Sequence, residues 1–177
     1  MVSPLATLLR AMVLVAIVAL AGCASTFVLH PTTNSGTSTN GRRFVDAPRG
    51  PVEVFVERPS GSEKIRPAVA VLEFVGNAGR ADWGTSLPSR FVNAAPMEIW
   101  RMNYPGYGAS AGRARLSSIA PAARAVFDVM REESGDTPIL VYGFSLGSTA
   151  ALHLAAHREV DGVILRNPPP LGRIILT

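Results

Sequence analysis

Cysteine is almost absent from this sequence: its 177 residues contain one, Cys23. A single thiol excludes an intramolecular disulfide framework and any Cys-based zinc cluster. Charge is sparse as well, at 17% of residues, with 17 Lys+Arg against 13 Asp+Glu. The basic residues are scattered, and Arg42–Arg43 is the only basic doublet. Nucleic-acid binding requires a basic stripe or a recognisable motif, and the sequence has neither. The apolar run Ala11–Leu20 is too short to cross a bilayer, for which about 20 residues are needed. What the chain does have is 47% hydrophobic residues, too many for a disordered polymer, and a length that suits one domain.

Much of the positive mean hydropathy of +0.24 comes from the first 29 residues. Ala11–Leu20 follows Arg10 and fits the apolar region of a secretory signal. Leu20-Ala21-Gly22-Cys23 resembles the lipobox of bacterial lipoproteins. The resemblance implies a signal peptide over residues 1–22 and acylation of Cys23, by palmitate or a similar chain, which consumes the lone thiol. It implies a lipid-anchored place in the bacterial cell envelope, with the membrane as a partner. Ala24 after the Cys suits outer-membrane sorting if the source is Gram-negative. The alternative is a buried Cys at the end of a core helix. Residues 23–50 then read as the acylated N-terminus and a flexible tether. Within them Pro31–Gly50 has too few apolar residues to offset its ordering entropy, and as coil would span about 25 Å.

From residue 51 the pattern changes. Val52, Val54 and Val56 alternate with Glu53, Phe55 and Glu57, which predicts a strand with one polar-leaning face. Ala68–Val75 is a nearly continuous apolar run, as a fully buried strand requires. A helix is predicted over 81–93, weakened by Gly84 and Pro88. A third strand spans 97–103, and a helix capped by Ser117 or Ser118 runs to about Glu133 with Pro121 in its first turn. A fourth strand covers 138–142, a helix 146–158, and a fifth strand 162–166. This alternation predicts an α/β fold with a parallel-dominated sheet and flanking helices.

Gly143-Phe144-Ser145-Leu146-Gly147 lies between the fourth strand and its helix. In a G-x-S-x-G turn this tight, side chains at either glycine would clash, and the serine is held strained at the apex. The helix N-terminus behind it offers N–H groups to a developing oxyanion. Gly76-Asn77-Ala78-Gly79, Asn103-Tyr104-Pro105-Gly106-Tyr107-Gly108-Ala109-Ser110 and Val163–Pro168 extend the pattern in order along the chain. Together these segments resemble the α/β-hydrolase superfamily, its serine-aminopeptidase-like and lysophospholipase-like branch, over roughly residues 52–170. The resemblance implies Ser145 as nucleophile, the Leu146 and Asn77 N–H groups as oxyanion donors, and a small-molecule ester, thioester or amide as acyl substrate. It implies no metal and no organic cofactor.

Two features depart from the family pattern. The His-Gly pair of the oxyanion loop is Val75-Gly76 here. The acid and His of the triad belong on loops after two further strands, and Thr177 is only 32 residues past Ser145. Residues 51–177 therefore read as a partial α/β-hydrolase domain lacking the last strands. His153 and His157 sit about 12 and 18 Å down the helix that Ser145 opens, beyond the ~3 Å reach of a general base. His30 could reach only by folding back, Asp161 lies at the opposite sheet edge, and Asp128, Glu132 and Glu133 form a solvated helix face. The expectation is a membrane-tethered serine hydrolase, inactive as these 177 residues alone. The alternative is a non-catalytic envelope lipoprotein that uses the scaffold for binding. Strand 162–166 should present an apolar edge open to pairing with another chain. Trp83, Phe144 and Tyr107 are candidates to line the acyl pocket, with core packing as the other reading.

Overall fold

A computed structural model of the chain describes residues 28–33, 39–61 and 64–170. The expected signal peptide, Cys23 and the expected boundary between residues 22 and 23 lie outside these. Six strands form one sheet: β1 (Arg42–Val45), β2 (Val52–Glu57), β3 (Val69–Phe74), β4 (Met97–Met102), β5 (Ile139–Phe144) and β6 (Gly162–Arg166). Their order is β1-β2-β4-β3-β5-β6. β1 and β2 run antiparallel at one side, while β4, β3, β5 and β6 are mutually parallel. The parallel-dominated α/β sheet is as predicted.

β3 lies at the centre because its residues are nearly all apolar, and from Ala70 to Phe74 every one is buried. The chain leaves β3 to build β4 on one side and returns to place β5 on the other. That reversal opens a crevice beyond the carboxyl ends of β3 and β5, where ligands of such sheets bind. Helix α2 (Leu116–Ser134) covers the sheet through Ile119, Ala122, Ala123, Val126, Phe127 and Met130, all buried. It begins before the predicted cap, so Pro121 sits inside it. The Ser118 hydroxyl donates to the Arg115 carbonyl at 2.7 Å and caps no N–H. Helix α3 (Gly147–Ala155) follows β5 directly.

Three expectations are corrected. The presumed tether is partly sheet: residues 42–45 pair with β2, and Val45 is buried in the core. Arg42 forms an ion pair with Glu53 at 2.7 Å, and Arg43 stacks over Trp100 and binds Glu133, so polar residues here have specific partners. Second, Glu53 does not face water. It is 3% exposed and accepts from Asn103 Nδ2 at 2.7 Å and Ala109 N at 2.8 Å. Third, residues 81–93 do not form one helix. A 3-10 turn (Ala81–Trp83) ends at Gly84 with φ +93°, and only Ser89–Val92 (α1) is helical again. Between them Thr85 and Ser86 are drawn to the buried Glu73 carboxylate, which takes both hydroxyls at 2.6 Å and the Ser86 N–H at 2.7 Å.

Arg43 also gives the edge an acid sensitivity. Its hydrogen bonds to Glu133 hold that carboxyl below the ordinary 4.5. The stabilisation is complete above the unfolded-state value and lost as pH falls through the lower folded value. Because both side chains are substantially exposed, the pair contributes no more than about 1 kcal/mol. Between pH 6 and pH 3, Arg43→Ala is expected to lose less melting temperature than the wild type; equal losses would remove the pair from the account.

Candidate active site

Ser145 sits where β5 turns into α3, with φ +51°, one of three non-glycine residues at positive φ among those described. The turn is closed by Ser148 N–H to Ser145 O at 2.9 Å and Thr149 N–H to Leu146 O at 3.0 Å. The glycines on either side are required by close approach. A Cβ on Gly143 would lie 2.6 Å from the Gly147 carbonyl oxygen and the Ser148 Cα. A Cβ on Gly147 would lie 2.1 Å from the Phe74 carbonyl oxygen. The elbow is thus wedged against the end of β3, where the Gly76–Gly79 loop begins.

Asn77 stands across from it. A cavity of about 420 Å³ is lined by Ser145, Leu146 and Asn77, by Ile119, Leu116 and Ala120 of α2, and by Val28, Thr149, Ala150, His153 and Pro169. Among the described residues neither the Asn77 nor the Leu146 backbone N–H has a hydrogen-bond partner. Three of the predicted site residues, Ser145, Leu146 and Asn77, therefore share one cavity. The fourth, Cys23, lies outside the described residues.

The Asn77 side chain is engaged through both its oxygen and its nitrogen, which the sequence did not suggest. Its Nδ2 donates to Val28 O at 2.5 Å, and its Oδ1 accepts from His30 N at 2.9 Å and from the Tyr107 hydroxyl at 3.0 Å. The Tyr104 hydroxyl donates to Val75 O at 2.5 Å, and the two tyrosine rings pack edge to face. Burial pushes both phenols above their ordinary range. They are hydrogen-bonding struts for the loop that carries Asn77. The loop bearing them is held in turn by Glu53, Asn103 and Ser110. The buried Glu and Asn are the residues that sequence reading missed; an acid within an otherwise apolar strand, facing a glycine-rich loop, was the available signal.

Trp83, Phe144 and Tyr107 do not line the Ser145 cavity. Tyr107 is core, whereas Trp83 and Phe144 line a neighbouring cavity of about 540 Å³ on the other side of the Gly76–Gly79 loop. His153 does line the Ser145 cavity, but its Nε2 lies 2.7 Å from Arg124 Nη1 and its ring stacks on His157. Burial, His157 and Arg124 all push its pKa down. His30 folds back as far as Asn77, through its backbone. Asp161 lies at the opposite edge, accepting from Ile139 N at 2.7 Å. Among the described residues the Ser145 hydroxyl contacts no histidine or carboxylate by hydrogen bond.

A family model described as the alpha/beta hydrolase fold matches residues 87–174. The human alpha/beta hydrolase domain-containing protein 17B is 33% identical over 76 residues, which are 42% of this chain and 26% of that protein. Protein bem46 of Schizosaccharomyces pombe is 29% identical over 120 residues, 66% of this chain and 40% of its own. The chain thus spans well under half the length of these relatives. A solved alpha-beta serine hydrolase homologue from Coxiella burnetii superposes with a TM-score of 0.60 at 24% identity, over 76% of this chain and 66% of its own. The chain has the α/β-hydrolase fold. The family model over residues 87–174 and the solved structure agree on that fold, and serine hydrolases are among the solved structures that share it.

Proposed function

We propose that the chain carries the nucleophile and the oxyanion hole of a serine hydrolase acting on an ester, thioester or amide. Ser145 is the nucleophile; the Leu146 and Asn77 N–H groups receive the oxyanion. The observation that carries this reading is the strained Ser145 at the strand-to-helix apex, opening into a cavity that also holds two unspent N–H donors. The base and acid are not supplied by the described residues, and in this reading they come from outside these 177. Acylation of Cys23 ties the protein to the bacterial envelope. No cofactor enters the reaction.

Without its base a serine hydroxyl is a weak nucleophile, so the 177 residues alone should turn over short-chain p-nitrophenyl esters no faster than Ser145→Ala. Joined to a segment supplying the His and acid, the wild type should gain at least about a thousandfold, and Ser145→Ala should not. Equal rates for the two joined proteins would end the catalytic reading. A second reading follows from the missing base: a non-catalytic envelope lipoprotein in which the cavity only binds. It predicts ligand binding that is indifferent to Ser145→Ala. The β6 edge, where Val163 is 39% exposed, is in either reading the place for a further strand, from this protein or another copy.

A further inference from the structure

Val28 to Thr32 do not hang free of the domain. Asn77 Nδ2 binds Val28 O, Asn77 Oδ1 binds the His30 N–H, Gly108 N–H binds Thr32 O at 2.8 Å, and Leu29 is 3% exposed. This segment is fastened to the same loop that lines the Ser145 cavity. Cys23 is five residues before Val28, a contour of at most about 18 Å. A lipid on Cys23 therefore brings the mouth of the cavity close to the surface that holds the lipid, far closer than a twenty-residue tether would.

The rim has the chemistry for that surface. Val28 and Leu116, both lining the cavity, are 46% and 40% exposed, and Trp83 beside the Asn77 loop is 66% exposed. Arg113 and Arg115, just before Leu116, are exposed and have no carboxylate partner among the described residues. Glu132, Glu133, Asp136, Glu159 and Asp161 lie at the opposite end of the parallel strands. Exposed apolar side chains beside unpaired arginines suit an anionic lipid surface.

We propose that the rim of the Ser145 cavity is a membrane-docking surface, seated by Val28, Leu116, Arg113 and Arg115 on the bilayer that anchors Cys23, so that acyl chains enter from the leaflet. The orientation rests on the lipid-anchored reading above and narrows its substrates to membrane-resident acyl chains. Each arginine adds about fivefold to partitioning onto an anionic surface.

The test couples the single thiol of the chain from Cys23 onward, which retains every described residue, to a maleimide lipid. The vesicles contain phosphatidylglycerol and carry bromine on their acyl chains near the headgroups. Trp83 emission is expected to fall about twofold against unbrominated vesicles, as a side chain seated in the interface must. Trp83→Phe should remove that component. Arg113→Glu with Arg115→Glu should restore the emission while the protein stays coupled. Unquenched Trp83, or quenching indifferent to the charge reversal, overturns the proposal. Acylation is read separately, from the mass of the membrane-extracted protein against Cys23→Ser. Its failure ends the lipoprotein reading without altering what the coupled protein shows about orientation.

Discussion

Gly147→Ala is expected to unfold the elbow and to cost more than about 3 kcal/mol, beyond the usual range for one added methyl. The reason is what the methyl meets. It would lie 2.1 Å from the Phe74 carbonyl oxygen, 2.6 Å from the Phe74 carbonyl carbon and 2.8 Å from the Val75 carbonyl oxygen. All three are backbone atoms of the central strand and the loop after it. None can rotate away, so either α3 lifts from β3 or the Asn77 loop is displaced. Gly162→Ala is the control, because its methyl meets only Leu140 Cδ2, at 2.9 Å, the far end of a flexible side chain. Urea denaturation should separate the two variants clearly. Similar midpoints would show that the elbow is not wedged against β3.

Asp82→Ala is the second large effect. Arg80 and Asp82 form a two-bond pair at 2.7 and 3.0 Å, with side chains 4% and 3% exposed. Removing the carboxylate leaves a guanidinium in the protein interior without compensation, a loss of about 3–5 kcal/mol. The same turn is tied to the sheet through Ala81, whose N–H binds Asn103 Oδ1 and whose carbonyl accepts from Arg101 Nε. Its loosening should therefore spread to β4. Adding Arg80→Met to Asp82→Ala should recover most of the stability, since no charge is then stranded. A double variant as unstable as the single one would place the cost in packing and not in the charge.

The parts of the fold legible in the sequence are those whose pattern is decided locally. β3 and β5 are apolar runs too short for helices, α3 follows at once, and the elbow's glycines have a steric requirement that their spacing displays. β6 has the bounds that its apolar run predicts. What could not be read depends on partners distant in the chain. Residues 42–45 look like coil until β2 supplies the other half of the ladder. Glu53 looks solvent-facing until the 103–110 loop folds over it and delivers two donors. Residues 81–93 have helical propensity, but Glu73 competes for the hydroxyls of Thr85 and Ser86. For the site, the spacing located Ser145, Leu146 and Asn77, whereas the use of Asn77's side chain as the anchor for Val28 and His30 joins residues 49 and 47 positions apart and leaves no local pattern.

The strand order has a kinetic corollary. β3 pairs with β4 and with β5, and in the latter ladder Ala70 meets Ile139, partners about seventy residues apart. The elbow cannot exist before that ladder does, because Gly147 packs on the end of β3. Closing so long a loop is an entropic barrier that local helix formation does not lower, and chains rich in such distant pairings fold in milliseconds to seconds. As the chain is synthesised, β3 therefore has β4 alone beside it, with its other edge open, until residue 144 has emerged. The interval is a window for chaperone capture or aggregation, and its length is set by the spacing between β3 and β5.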